Sequence, residues 1–204
     1  MTLLLAGLMI AAPAAADPVD QWAAEIERAS ARFAIPQGWI RAVMRAESGG
    51  HPWRRGRPVV SRAGAMGLMQ IMPGTWDEVR RQHGLGADPF DPADNIYAGT
   101  AYLRAMYDRF GYPGMLAAYN AGPGRYTASR REGRPLPAET RAYVRTVSGK
   151  TAMSEAPPPA GYAPQASLFA VQKEQEKAAN ETDQPTSEAN FFVISAKRRT
   201  VANP

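Results

Sequence analysis

Apolar residues recur at three- and four-residue intervals through much of residues 17–150, and this spacing constrains the fold more than any other feature of the chain. The stripes are Trp22, Ile26, Ala29 and Phe33; Ile96, Gly99, Leu103, Met106 and Phe110; and Tyr143, Val144 and Val147. Such spacing places the apolar side chains on one face of an α-helix, and the alternation typical of strands is negligible. With 45% hydrophobic residues, a 204-residue chain can bury one good core. We therefore predict a single all-α (mainly α) domain at residues 17–150.

A carboxylic acid continues a further apolar stripe. Its apolar members are Ile40, Val43 and Met44. Glu47 follows on the same helical face, which directs it toward the core. Pro36 suits the first position of this helix and residues 48–50 (SGG) suit its end, so we expect Glu47 in the last turn.

The predicted position of Glu47 has consequences for its chemistry. Burial and the negative end of the helix dipole both raise the pKa of a carboxyl group. An acid that stays neutral near pH 7 can protonate a glycosidic oxygen, so we interpret Glu47 as a general acid for glycoside cleavage. A Glu that caps a loop or pairs with Arg45 or Arg54 fits the spacing about equally well.

Four short blocks accompany this acid in the chain. They are Glu47-Ser48, residues 67–73 (GLMQIMP), residues 118–122 (AYNAG) and residues 139–144 (ETRAYV). In this order they closely resemble the lytic transglycosylases with a soluble-transglycosylase (SLT) catalytic domain, over about residues 37–148. The resemblance implies a lysozyme-like, goose-type fold and cleavage of bacterial peptidoglycan, with peptidoglycan glycan strands as the partner.

The resemblance also implies roles for individual residues. Glu47 would be the acid/base. The substrate-binding residues would be Ser61, Gln70, Met72, Tyr119, Asn120, Glu139 and Tyr143. Ser61 would orient the substrate or the acid, and Tyr119 would lie over the catalytic residue. The loop from Ser48 to Ser61 is longer than in many relatives.

Some of these residues can also be interpreted without the resemblance. Gly64 and Gly67 allow the tight turn that brings backbone against a sugar polymer, although glycines also serve ordinary turns. Met72 would offer soft contact to sugar faces, whereas a methionine at such spacing more often fills a core. The Tyr119 hydroxyl could bond the acid. Glu139 and Tyr143 share one helical face, an arrangement that also suits a structural hydrogen bond.

No second acid suits the two-carboxylate mechanism of ordinary glycosidases. Asp77 and Glu78 fit a helix start through a capping box beginning at Thr75, and Asp91 fits an N-cap followed by proline, with Asp94 in the first turn. The resemblance implies that one acid protonates the leaving oxygen and then deprotonates the C6 hydroxyl, which gives a 1,6-anhydromuramoyl end. A hydrolytic muramidase, or a non-catalytic glycan-binding or assembly module on the same fold, remains open.

Composition limits the other functional classes. The chain has no cysteine, which excludes a disulfide scaffold and a thiolate site, and its two histidines, His51 and His83, lie in no metal-binding motif. We therefore expect neither a metal nor a cofactor. Residues 17–150 carry 19 Lys and Arg and 13 Asp and Glu, and their net charge of +6 would favour encounter with anionic wall polymers. No recognition motif accompanies the scattered basic residues, so we expect no nucleic-acid partner.

Both ends of the chain differ in composition from the predicted domain. Residues 1–16 combine a short apolar run with a small-residue site, which predicts a signal peptide and a periplasmic location, although the basic n-region is missing. The run is too short for a transmembrane helix; an uncleaved apolar anchor is the alternative. Residues 151–204 are rich in Pro, Ala, Gln and Glu, which predicts a disordered tail. Its apolar islands, 167–171 and 190–195, could recruit secretion, conjugation or flagellar machinery. Before the last helix, residues 122–137 read as an irregular loop.

Overall fold

The computed structural model describes residues 16–151, with the backbone alone for residues 150 and 151. Within this part the chain forms seven α-helices, a short 3₁₀ helix and one two-stranded antiparallel hairpin. The elements are the 3₁₀ helix Asp20–Trp22, α1 Ala23–Phe33, α2 Gln37–Glu47, β1 Trp53–Arg54, β2 Arg57–Pro58, α3 Pro73–His83, α4 Pro92–Phe110, α5 Gly114–Ala121, α6 Pro123–Glu132 and α7 Ala138–Thr151. The mainly α fold is confirmed, while the expected signal peptide and tail lie outside the described residues.

Helix α4 is the central element, because α1, α3 and α5 all pack against it. Ile96, Leu103 and Met106 on α4 are fully buried, as the apolar stripe predicts. Helix α7 contacts α2 and α5 and buries Val147. This packing holds the end of α2, which carries the predicted acid, next to the beginning of α7. No helix in residues 16–151 is long and apolar enough to cross a bilayer.

The prediction of an irregular segment over residues 122–137 was wrong, because α6 forms at Pro123–Glu132. Gly122, with φ of 87°, precedes the helix, and Pro123 occupies its first turn, where a missing N–H costs nothing. Pro123 is also the one residue of α6 that is buried. A helix that buries so little needs no apolar stripe, and its sequence therefore lacks the pattern on which the other helices were predicted.

The long loop from Ser48 to Ser61 contains the β1–β2 hairpin, which the sequence analysis did not predict. Arg55 and Gly56 form its two-residue turn, with φ of 52° and 72°. Two consecutive residues with positive φ match the twist of the flanking strands. With only two residues in each strand, the hairpin is too short to show an alternating pattern.

Of the two helix starts that were predicted from acidic residues, one is confirmed and one was wrong. Asp91 is the N-cap of α4, and its carboxylate accepts from the Asp94 backbone N–H at 2.9 Å, as predicted. The capping box at Thr75 was wrong, because α3 begins two residues earlier, at Pro73. Asp77 and Glu78 therefore lie inside the helix and pair with arginines one turn later.

Candidate active site

The predicted acid lies at the end of α2. Glu47 is the last helical residue and Ser48 is the C-cap, whose backbone N–H donates to the Met44 carbonyl at 3.0 Å. The buried Ser48 hydroxyl accepts from the Gly50 N–H at 3.2 Å, which fixes the turn that leaves the helix. The predicted position of Glu47 in the last turn is confirmed.

The two arginines that could have paired with Glu47 have other partners. Arg45 forms an ion pair with Asp17, including a 2.7 Å bond from Nε. Arg54 on β1 donates to the Ser48 carbonyl at 3.1 Å. Neither forms an ion pair with Glu47 in the described part of the chain. The structural ion-pair interpretation of Glu47 therefore does not hold, and both arginines instead brace the segments around it.

Glu47 faces an open cavity of about 420 Å³. The other predicted residues that line it are Ser61, Gln70, Met72, Tyr119, Asn120 and Glu139. A neighbouring cavity of about 280 Å³ shares four of these residues, and Thr75, Tyr102 and Arg125 line it in addition. The shared walls join the two cavities into one groove, so four distant sequence blocks meet at one site.

Burial controls the protonation of the site. It raises the pKa of Glu47 from 4.5 to about 7, and the neighbouring Tyr143 hydroxyl opposes this rise as a donor. That hydroxyl is buried beside Glu47, although it makes no well-aligned hydrogen bond within residues 16–151. Burial, followed by the nearby Glu47 charge, raises the pKa of both Tyr143 and Tyr119 well above the usual value. Both tyrosines therefore remain neutral while Glu47 exchanges its proton near neutrality.

Tyr119 contributes its ring to the groove rather than its hydroxyl to the acid. The hydroxyl donates to the Met69 carbonyl at 2.8 Å, and the ring packs against Tyr102 with centroids 5.3 Å apart. The expectation that this hydroxyl bonds Glu47 was wrong, because the backbone carbonyl occupies the donor. This bond instead ties α5 to the segment before Gln70.

We call residues 66–71 the groove floor, since they form a tight loop beneath the cavity. Met66 and Ile71 exchange backbone hydrogen bonds at 2.9 and 3.0 Å across it. Gln70 adopts φ of 49°, a conformation that costs a non-glycine residue about 1–3 kcal/mol. Its side-chain amide donates to the Gly67 carbonyl at 2.8 Å, which holds the strained residue in place.

A buried asparagine that sequence reasoning missed holds the groove floor on α4. The Asn95 side chain accepts from the Met69 N–H at 2.7 Å and donates to the carbonyls of Met66 and Pro89 at 3.1 and 2.8 Å. A Cβ at Gly67 would lie 2.4 Å from the Asn95 amide nitrogen, so only glycine permits this approach. One signal in the sequence could have identified it: Asn95 is a polar residue four positions before Gly99, and it therefore lies on the buried face of an apolar helix.

The residues just before the floor are much more exposed. We call residues 60–65 the groove rim. The Ser61 hydroxyl accepts from the Ala65 N–H at 3.0 Å, which closes a small turn. Both residues line the cavity with Glu47, as the Ser61 prediction requires.

The two methionines of the sequence block 67–73 differ in environment. Met69 is fully buried and therefore fills the core, whereas Met72 is 46% exposed at the start of α3 and lines the groove. Glu139 lies exposed in the first turn of α7 and also lines the groove. Within residues 16–151, no group of three or more His, Cys, Asp or Glu side chains could hold a metal ion.

These features define a lysozyme-like transglycosylase domain. Residues 25–139, more than half of the chain, match the Transglycosylase SLT domain, and the chain belongs to this family. The match confirms the family inferred from the four sequence blocks.

Two curated relatives match about half of the chain. The chain is 39% identical to the soluble lytic murein transglycosylase of Escherichia coli over 131 residues, which are 55% of this chain and 20% of the relative. It is 35% identical to the membrane-bound lytic murein transglycosylase C of Histophilus somni over 114 residues, 48% of this chain and 30% of the relative. The matched region thus spans less than a third of either relative.

Solved structures show the same fold. The 70 kDa soluble lytic transglycosylase of Escherichia coli aligns with a TM-score of 0.55 and 35% identity, covering 64% of this chain and 23% of that one. An inactive Glu→Gln mutant of the lytic transglycosylase Slt from Pseudomonas aeruginosa aligns with a TM-score of 0.55 and 31% identity. The alignment covers 65% of this chain and 25% of that one. The lysozyme-like SLT fold predicted from the resemblance is confirmed.

Proposed function

We propose that this chain is a peptidoglycan lytic transglycosylase with Glu47 as its single acid/base. It would cleave the β-1,4 bond between N-acetylmuramic acid and N-acetylglucosamine and leave a 1,6-anhydromuramoyl end. The observation that carries the proposal is a carboxyl group with a pKa of about 7, at the wall of a groove that a polymer can enter.

The first step requires a proton donor at the leaving oxygen. A carboxyl with a pKa of about 7 is about half protonated at neutral pH, so Glu47 can donate a proton and later accept one. General acid catalysis of this kind contributes roughly 10²- to 10⁴-fold to the rate. The buried Tyr143 hydroxyl beside Glu47 would stabilise the carboxylate that forms after the donation.

The second step closes the ring on the sugar. The N-acetyl carbonyl of the muramic residue would assist at the anomeric carbon, and Glu47 would then remove the proton from the C6 hydroxyl. That hydroxyl attacks in place of water, so the Glu47 proton is restored and no water is consumed. Gln70 and Asn120, which line the groove, would orient the amide and hydroxyl groups of the sugars.

The other nearby acids support a one-acid route. Asp77 and Glu78 are used in ion pairs within α3, at 3.4 and 3.2 Å. Glu139 lines the groove but is exposed, and we assign it to substrate binding. The similar Pseudomonas aeruginosa enzyme is described as inactive after one Glu→Gln change, which is what dependence on a single carboxyl would produce.

We place this activity in the periplasm, where the substrate lies. A signal peptide at residues 1–16 and recruitment through residues 151–204 to a secretion, conjugation or flagellar machine remain predictions from the sequence. Such recruitment would confine wall opening to the site of assembly.

The test is mass spectrometry of the products that the chain releases from purified peptidoglycan sacculi. We expect anhydromuramoyl ends from the wild type and at least a hundredfold less product from Glu47→Gln, since the general acid is lost. Glu27→Gln is the matched control, because Glu27 is an exposed acid of α1 outside the groove. Products heavier by one water would identify a hydrolytic muramidase, and unchanged turnover by Glu47→Gln would refute the role of Glu47.

A further inference from the structure

The acid proposed for catalysis lies at the end of a helix, where helices commonly fray. Glu47 is the last residue of α2. The next two N–H groups, those of Ser48 and Gly49, share the Met44 carbonyl at 3.0 and 3.2 Å. No later helical turn holds this end, and local opening of a helix terminus costs little free energy. A catalytic group has to stay within about 0.5 Å of its working position, so further contacts are needed at the end of α2.

Residues 17–22, which we call the N-terminal clamp, contact the turn that follows Glu47. The Trp22 indole N–H donates to the Gly50 carbonyl at 2.9 Å, and the Gln21 side-chain amide donates to the same oxygen at 3.3 Å. Gly50 is buried against the clamp, because a Cβ there would lie 2.7 Å from the clamp backbone. Two donors and a backbone contact therefore hold this turn three residues after the acid.

The clamp also contacts the last two turns of α2 through two ion pairs. Arg45 donates from Nε to Asp17 at 2.7 Å, and Arg41, one turn earlier, donates to Asp20 at 2.7 Å. The Asp17 carboxylate also accepts from the Val19 N–H at 3.0 Å, and the Val19 side chain is fully buried. The Val19 N–H, followed by Arg45, lowers the pKa of Asp17, so this carboxylate stays charged at neutral pH. The clamp is thus bonded to the chain both before and after the acid.

The clamp contributes nothing to the lining of the groove. None of residues 17–22 lines either of the two cavities. The clamp also precedes residues 25–139, over which the chain matches the SLT family. An effect of the clamp on turnover would therefore act through the position of Glu47 and not through contact with the sugars.

We propose that the N-terminal clamp positions the Glu47 carboxyl, with Gln21 and Trp22 as its positioning residues. This inference rests on the proposed function, because it takes Glu47 as the acid/base. The clamp holds the turn after α2, so the carboxyl keeps its buried place at the wall of the groove. Without the two donors to Gly50, the turn and the last helical turn would open more often, and water would reach the carboxyl.

Carbon-13 NMR titration of the Glu47 carboxyl tests the clamp without requiring turnover. Gln21→Ala and Trp22→Phe together remove both donors to the Gly50 carbonyl and change no charge. With both changes in the full chain, we expect the Glu47 midpoint to fall from about 7 by about one unit, because contact with water weakens the effect of burial. Trp22→Phe alone should give a smaller shift in the same direction, and it decides the question if the double variant fails to fold.

Turnover of purified sacculi gives a second readout. A midpoint lower by about one unit leaves about a tenth of Glu47 protonated at pH 7 instead of about half, so kcat at pH 7 should fall about fivefold. The apparent KM should not change, since neither Gln21 nor Trp22 lines the groove. A clamp that only stabilised the fold would change the melting temperature and leave the midpoint of the pH profile where it is.

Tyr97→Phe is the matched control. The Tyr97 hydroxyl accepts from Arg32 Nε at 2.9 Å, a bond between α4 and α1 that involves neither α2 nor the turn after it. Tyr97 also lines neither cavity. This variant should keep the wild-type Glu47 midpoint and kcat. An unchanged midpoint in the clamp variants, or an equal shift in Tyr97→Phe, would overturn the inference.

The two readouts separate this inference from the proposed function. Wild-type protein that releases no product from sacculi would refute the transglycosylase proposal. The NMR midpoint of the clamp variants would still decide whether residues 17–22 position the Glu47 carboxyl, since it requires no cleavage.

Discussion

The groove rim and the groove floor are consecutive six-residue stretches with opposite properties. In the rim, residues 60–65, no residue is fully buried, and Val60 is 52% exposed. In the floor, residues 66–71, the four residues Gly67, Leu68, Met69 and Ile71 are buried. The floor is bonded to α4 through Asn95 and to α5 through Tyr119, whereas the rim is held mainly by its own turn.

The difference in burial between the floor and the rim corresponds to different roles of their residues at the site. A residue that must hold a strained conformation, such as Gln70, requires surroundings that fix it from several sides. A residue at the edge of the groove, such as Arg62, can remain exposed to solvent. Glu47 lines the cavity together with residues of both stretches, so it is buried enough to keep its proton and open enough to reach the polymer.

Breaking the floor should have the largest effect on stability. Asn95→Ala leaves the buried Met69 N–H and two backbone carbonyls without their hydrogen-bond partner. We expect this change to lower the free energy of unfolding by about 3 kcal/mol. For a domain of this size we expect the melting temperature to fall by about 10 °C, measured by circular dichroism. Arg62→Gln on the rim is the matched comparison and should stay within about 0.5 kcal/mol of the wild type. Similar losses from both changes would contradict the contrast between rim and floor.

Burial of Glu47 should change the stability of the folded protein by a somewhat smaller amount, and this change depends on pH. The pKa of Glu47 is about 7 when folded, against 4.5 for an unperturbed glutamate, so the folded state holds more protons between these values. Stability should therefore be greatest below pH 4.5 with respect to this group and decline as the pH rises through 7, by at most about 3 kcal/mol. Partial exposure of Glu47 reduces that figure.

The Glu47→Gln variant tests the same effect, because its neutral amide should remove the decline of stability with rising pH. In urea titrations at pH 5 and pH 8, the variant should gain stability over the wild type at pH 8 and not at pH 5. Glu27→Gln, an exposed acid on α1, should show no such gain. Equal stability of the wild type and Glu47→Gln at both pH values would show that burial imposes no cost on the charged form.

Much of the fold could be predicted, because the central helices bury regular apolar stripes. The stripes on α1, α2 and α4 fixed these helices closely, and α2 was predicted to end at Glu47. Helix α6 could not be found this way, since it buries almost only its first proline. The start of α3 was missed because the helix begins at Pro73, with Met72 as its N-cap, and not at the capping box expected from Thr75.

The site was predictable where family motifs carry the residues. Seven of the eight predicted residues line the cavity, and the eighth, Tyr143, lies beside Glu47. The partner of the Tyr119 hydroxyl was not predictable, because it is a backbone carbonyl 50 residues away. Asn95 was missed for the same reason, since its role depends on contacts between distant segments.

A direct titration of the Glu47 carboxyl tests the central claim. Carbon-13 NMR of the side-chain carboxyl, assigned by comparison with Glu47→Gln, should show a midpoint near pH 7, and turnover of sacculi should fall on the alkaline side with the same midpoint. A midpoint near 4.5 would mean that Glu47 is charged at neutral pH and cannot be the proton donor proposed here.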